Sequence, residues 1–243
     1  MIPKRPYGKK GDKISIIGLG GIVLARLPQK EADAIAREAF ERGINYFDVA
    51  PTYWDAEERM GPAIKSFRDK IFLACKTTKR DAKGAQEELE ASLRKLQTDH
   101  FDLYQLHGLS KMEELEQCFA PGGAMEVFLK AREQGKVRYI GFSAHSEEVA
   151  LEAIKRFPFD SALFPFNFVT LFKGNFGWEL LKEAPKRGGN AARVESAGTH
   201  ALARGRKATG EMLVRADYRP QAGRVGVALH PVPAEYHCRY PAR

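Results

Sequence analysis

Short apolar strands alternate with amphipathic helices along this chain, and that alternation restricts the fold more than any other feature. Strand-like runs fall at 14–18, 45–49, 71–75, 101–107, 137–143 and 159–165. Each is rich in β-branched and aromatic residues, which suit a buried pleated surface. Helix-like stretches follow them at 30–42, 56–67, 81–97, 123–134, 146–156 and 176–184. The first carries Ala32, Ile35, Ala36, Ala39 and Phe40 at i, i+3, i+4, i+7 and i+8, and Gly43 stops it. The third carries Ala82, Ala85, Leu89, Leu93 and Leu96 on one face. Six strand–helix units thus occupy the stretch up to residue 184. At roughly 30 residues each, they have the spacing of βαβ crossovers and call for an α/β fold with a parallel sheet.

Two α/β architectures compete. A doubly wound sheet that binds a dinucleotide would carry G-x-G-x-x-G after its first strand. The loop here is Leu19-Gly20-Gly21-Ile22, which lacks that fingerprint. The length of 243 residues is close to that of one (β/α)8 TIM barrel. A barrel is therefore expected, with residues 4–13 (Gly8 and Gly11 among them) as a small cap or hairpin before the first strand.

Composition locates a break near residue 187. Residues 185–243 hold 11 Lys and Arg against four Asp and Glu, which accounts for most of the net charge of +8. That tail has no Phe and no Ile, whereas all 15 Phe precede residue 177. Its apolar runs are Met212-Leu213-Val214 and Val225 to Leu229, the latter cut off by Pro231 and Pro233. We divide the chain into barrel units one to six (1–187) and an atypical basic tail (188–243) in place of units seven and eight. Such a tail would leave the edges of the first and sixth strands without proper partners. Its charge lacks interleaved aromatics and any motif, so nucleic acid is not an expected partner. Nor is a membrane, since no run of about 18 apolar residues occurs. The basic N-terminus lacks an apolar core, so no signal peptide is expected. Cys75, Cys118 and Cys238 have no metal-ligand spacing, and their odd number suits a reducing, cytoplasmic setting.

Barrels place their chemistry at the C-terminal ends of the strands. Those ends give Asp48 and, from the following loop, Tyr53; then Lys76; then His107; then Ser143, with His145 close behind; then Asn167. Each has an ordinary structural reading: a turn cap, an amphipathic loop aromatic, a solvated lysine, a rim histidine. Four in register on consecutive strands make a coherent proton-donating group. A phenol is a weak acid, with a pKa of about 10. A cation beside it favours the phenolate. Lys76 supplies that cation, Asp48 orients Lys76, and His107 directs a substrate oxygen. The hydride that such a site requires comes from a cofactor. Cys75 is expected to face away from Lys76 by strand alternation. Trp54 fits either packing or a pocket wall, and Lys79-Arg80 and Arg94-Lys95 read as solvated surface.

The chain resembles the aldo-keto reductase family over roughly residues 4–187. The resemblance rests on Gly18-Leu19-Gly20-Gly21, on Gly43 to Ala50 with Tyr53, on Phe72 to Thr77, on Asp102 to His107 and on Gly135 to Ser143. It implies a (β/α)8 barrel, NADPH as the usual cofactor with NADH also open, no metal, and a small-molecule aldehyde or ketone reduced to an alcohol. It implies Tyr53 as proton donor, Asp48 and Lys76 as its tuners, and His107 as the orienting group. It implies cofactor contacts from Gly20, Gly21, Ile22, Asp48, Ser143 and Asn167. Two positions depart from the family pattern. Ala144 stands where the family often has Asn, and Leu163 where it often has Gln, which points to His145 or Asn167 in their place.

No family motif follows Arg187. Free back-translation of residues 216–242, read one nucleotide later, permits segments resembling the family's seventh helix and eighth strand. This suggests a tail translated out of frame, which resequencing around codons 185–195 would decide. It also keeps an alternative open: a non-catalytic, truncated or frame-shifted barrel fragment with impaired cofactor binding. A third reading is a nucleotide-sensing subunit for a partner.

Overall fold

A computed structural model of the chain describes residues 2–8, 11–167, 169–184, 193–195 and 212–214. It begins with an antiparallel hairpin, β1 (Lys4–Tyr7) and β2 (Asp12–Ser15). Gly8 turns there at φ 60°, and a Cβ on it would fall 2.2 Å from the Tyr139 ring. Six strands follow: β3 (Ile17–Gly20), β4 (Tyr46–Asp48), β5 (Phe72–Thr77), β6 (Phe101–Leu109), β7 (Val137–Ala144) and β8 (Ser161–Leu163). They pair in sequence order, each parallel to the next. Between them lie α1 (Gln29–Glu41), α2 (Ala56–Ile64), α3 (Ala82–Lys95), α4 (Met112–Phe119), α5 (Ala124–Glu133) and α6 (Glu147–Arg156), and α7 (Trp178–Glu183) follows β8. This is a curled parallel sheet with alternating helices, as in a (β/α)8 barrel.

Three expectations change. The first core strand lies at 17–20, not 14–18. Ile14 and Ser15 instead end the hairpin, where Ser15 N donates to Asn45 Oδ1 at 2.7 Å and Asn45 N donates to Ser15 Oγ at 3.1 Å. Second, α4 fills the stretch between the fourth strand and its expected helix. Its stripe of Met112, Leu115, Cys118 and Phe119 packs into or against the core. Third, the outer edges of β3 and β8 are both paired. The tail's β9 (Arg193–Glu195) adds parallel to β8, and β10 (Met212–Val214) adds antiparallel to β3. An antiparallel neighbour departs from the βα pattern, and no ladder joins β9 to β10 among the described residues. Apart from these two strands, the expected tail unit and its change of frame lie outside the described residues.

Strand alternation sorts the side chains into two layers. Phe47, Val49, Leu73, Cys75, Tyr104, Leu106, Ile140 and Phe142 belong to the main core, packed with helix residues such as Ala36, Met60, Leu89 and Phe128. Tyr46, Phe72, Ala74, Leu103 and Tyr139 cluster separately with Tyr7 and Ile14 of the hairpin, which floors the barrel. Tyr7 meets Phe72 and Tyr139 edge-on at 4.8 and 5.2 Å. Asp48 and Lys76 follow the same alternation two residues beyond Tyr46 and Ala74, toward the strands' C-terminal ends.

Candidate active site

Asp48 is the last residue of β4, and its side chain is buried. The chain then turns tightly, with Tyr53 N donating to Ala50 O at 3.0 Å and Ala56 N donating to Tyr53 O at 3.0 Å. This sets Tyr53 just beyond the strand. Lys76 belongs to β5 itself, since that strand runs one residue past it. Its ammonium is wholly buried, pairs with Asp48 Oδ1, and donates to Val49 O at 3.3 Å. It lies 5.5 Å from the centroid of the Tyr53 ring. The Tyr53 and His107 rings stand perpendicular, 6.0 Å apart. Asp48, Tyr53, Lys76 and His107 therefore form one contiguous group.

Two buried atoms in that group, Asp48 Oδ2 and His107 Nδ1, have no hydrogen-bond partner among the described residues.

The charges follow from this geometry. Burial works against the Lys76 ammonium, but Asp48 and then Tyr53 hold it above the usual lysine range. Lys76 is the strongest single influence on Tyr53 and pulls it toward ionisation. Burial and the Asp48 carboxylate together outweigh that pull, so the Tyr53 pKa lies above the ordinary 10.0. The lysine does favour the phenolate, as its position in the sequence suggested, yet the resting group is a firmly protonated phenol. His107 moves further. Burial, followed by Lys76, Arg80 and His145, pushes it from 6.5 down to about 3. It is a neutral imidazole at any ordinary pH.

The expected cofactor contacts are less uniform. Gly20 closes β3 beside Asp48. A Cβ on Gly21 would fall 2.8 Å from Met60 Cε and 3.0 Å from Asp48 O, so packing alone excludes a side chain there. Ile22 is exposed. Ser143 is buried, sits beside Leu163 in the sheet, and accepts a hydrogen bond from Gly108 N at 2.7 Å. Asn167 is exposed, and its Oδ1 caps a local turn by accepting from Thr170 N at 3.0 Å. His145 is also exposed. No described hydrogen bond ties Asn167 to the central four.

Arg80 is a correction. It read as solvated surface, but its side chain is only 11% exposed. It donates to the His107 carbonyl at 2.8 Å. Nothing local signals this, because the burial comes from α4 and the end of β6 folding over it. Trp54 is 58% exposed with φ 52°, and the Arg26 guanidinium lies 4.1 Å from its ring centroid. Among the described residues, no group of three or more His, Cys, Asp or Glu could hold a metal ion.

The family and the fold can be compared with known proteins. The profile of the aldo/keto reductase family matches residues 16–175, more than half of the chain. An uncharacterized oxidoreductase, YqkF, of Bacillus subtilis is 33% identical over 178 residues, covering 68% of this chain and 56% of its own length. The chain thus spans about half the length of such curated relatives. Among solved structures, the holo form of an aldo-keto reductase from Bacillus halodurans is 28% identical with a TM-score of 0.69, covering 87% of this chain and 72% of that one. An aldo-keto reductase from Klebsiella pneumoniae in complex with NADPH shares the fold at a TM-score of 0.64 and 24% identity, covering 80% of this chain and 67% of that one. A parallel barrel sheet, an acid, tyrosine, lysine and histidine gathered at its strand ends, and the family profile over the same residues lead to one assignment: the chain belongs to the aldo/keto reductase family.

Proposed function

We propose that this chain reduces an aldehyde or ketone to an alcohol, with NADPH as the hydride source and Tyr53 as the proton donor. The observation that carries this reading is the pairing of a protonated phenol with a neutral imidazole around one buried ammonium. Both rings are donors suited to a carbonyl oxygen that gains negative charge. His107 holds that oxygen in place. Tyr53 gives it the phenolic proton as the carbonyl carbon receives the hydride. The phenolate left behind faces Lys76, and Asp48 keeps Lys76 charged and fixed.

The donor set fits a nicotinamide cofactor, because it provides a proton and orientation but no group able to give up a hydride. Ser143 accepts from Gly108 and keeps its own hydroxyl proton to offer a carboxamide oxygen. Asp48 Oδ2 is a further acceptor with no partner among the described residues. Gly20, Gly21 and Ile22 would lie along the same rim. Asn167 would serve only by leaving its bond to Thr170. The cofactor supplies the hydride; the residues named here bind, orient and move the proton.

The competing reading, a barrel fragment that no longer holds the cofactor, draws on one observation: β10 enters antiparallel where a βα unit would place a parallel strand. Titration with NADPH, followed by fluorescence, separates the two. Saturable binding with carbonyl-dependent oxidation is the expected result. Absence of binding by the folded protein would establish the fragment. Saturable binding with negligible turnover and a co-purifying protein would instead favour the sensing subunit.

A further inference from the structure

His107 does not sit on a regular strand. Leu106 pairs with Phe142, and Leu109 pairs with Ala144, so His107 and Gly108 together oppose the single residue Ser143. This is a bulge, which turns a peptide out of the ladder and re-aims a side chain. Gly108 takes φ 66°, a conformation that suits glycine. The displaced peptide is held at both ends by side chains. Arg80 donates to the His107 carbonyl at 2.8 Å, and Gly108 N donates to Ser143 Oγ at 2.7 Å.

Arg80 is well placed to be rigid. Its own backbone carbonyl accepts from Ala124 N at 2.8 Å, and its guanidinium faces Glu114 of α4 at 3.6 Å. Two of its nitrogens, Nε and Nη1, are buried without a partner among the described residues, as is His107 Nδ1. An arginine buried with donors unused costs stability, so a purely structural account of it is incomplete.

We propose that Arg80 is a positioning residue: by gripping the His107 carbonyl and setting a fixed positive charge close to this histidine, it selects the tautomer that presents Nε2–H to the substrate oxygen. The physical reason is the sign of the surroundings. The charged and titratable groups facing the imidazole are Lys76, Arg80 and His145, with the Tyr53 ring against it. A proton on Nδ1 would be a buried N–H with no acceptor among the described residues. A lone pair there strands no donor and is the form that neighbouring cations tolerate. The proton therefore belongs on Nε2, the other ring nitrogen. The low affinity of His107 for a second proton agrees with this.

The proposal deepens the reductase reading above and rests on it for the substrate oxygen. Its test does not need turnover. Long-range proton–nitrogen NMR of the histidine side chains reports tautomer and titration in the cofactor-free protein, with His107 assigned by its loss in His107→Gln. The wild type should show a neutral Nε2–H imidazole that does not titrate between pH 8 and pH 5. Arg80→Met should give a mixture of tautomers and move the His107 titration upward, with burial and Lys76 still holding it below the ordinary range, and Arg80→Lys should restore most of the wild-type pattern. Where Arg80→Met does not fold, Arg80→Gln is read in the same way. A purely structural role predicts a lower melting temperature with tautomer and titration unchanged, and that result overturns the proposal. Turnover by the same variants separates the two readings. If the protein reduces carbonyls, Arg80→Met should lower kcat by about 10- to 100-fold with NADPH affinity intact. If the wild type shows no turnover, the reductase reading fails while the NMR result still decides the role of Arg80.

Discussion

The two ends of this barrel each hold an ion network around a buried carboxylate, and they are built to opposite standards. At the floor, Asp102 accepts from Leu73 N at 2.8 Å, from Arg68 Nη1 at 3.2 Å and from Arg138 Nη1 at 2.5 Å. Arg138 continues to Asp12 at 2.7 Å, where Tyr139 also donates at 2.6 Å. That network ties the hairpin, β5, β6 and β7 together. At the mouth, among the described residues, Asp48 uses one oxygen on Lys76 and leaves the other unused, and His107 leaves Nδ1 unused. A satisfied buried network fixes structure, whereas a partly satisfied one carries a standing cost. That cost is intelligible where the spare donors and acceptors face a reaction. The difference between the ends is therefore one of purpose rather than of composition, since both use a carboxylate against cations.

This contrast can be tested from its largest consequence downward. Tyr53→Phe removes the only proposed proton source and should lower carbonyl reduction by about 100- to 10 000-fold while sparing NADPH affinity. Unchanged turnover would remove Tyr53 from the mechanism. At the floor, Asp102→Ala should cost about 3–5 kcal/mol in urea unfolding, because it strands two arginines. The double variant Asp48→Leu/Lys76→Met at the mouth, which removes the buried pair together, should be close to neutral or stabilising in the same assay, yet inactive. Equal stability losses for the two variants would erase the distinction between the ends.

The pH dependence comes next. The folded-state pKa of His107 is depressed from 6.5 to about 3, so the unfolded chain holds more protons across that window. Stability that His107 contributes near neutral pH is therefore lost as pH falls from 6.5 toward 3, on the order of 3 kcal/mol between pH 7 and pH 4. Urea midpoints for the wild type and His107→Gln should converge as the solution is acidified, and parallel curves would contradict the shift. The smallest effect belongs to the rim. Arg26→Ala removes an exposed cation–π contact with Trp54, worth about 0.5–1 kcal/mol. It should alter Trp54 fluorescence while leaving the melting temperature within a few degrees.

Sequence reading succeeded where the governing physics is local. Helical spacing located α1, α3, α5 and α6, and strand alternation placed Cys75 in the outer core and Lys76 on the inner face. It failed on elements whose bounds depend on partners. Ile14 is apolar enough to start a core strand, yet it packs under the barrel with Tyr7 because the hairpin folds there. Met112 to Phe119 has helical spacing but is too short to assert itself between two stronger elements. The tail's Met212 to Val214 was visible as an apolar run, while its antiparallel direction against β3 was not.

Sequence alone determined the repeating unit, the inward and outward faces of the strands, and the four residues that meet at the mouth. Periodicity and residue chemistry are written locally, so they can be read one segment at a time. Tertiary structure decided the states of those residues. Whether Tyr53 rests as a phenol depends on burial and on Asp48 as well as on Lys76. Whether Arg80 is a solvated cation or the grip on His107 depends on α4, some 30 residues away in the chain. Solvation and charge proximity are sums over neighbours in space, and those neighbours come together only when the barrel curls.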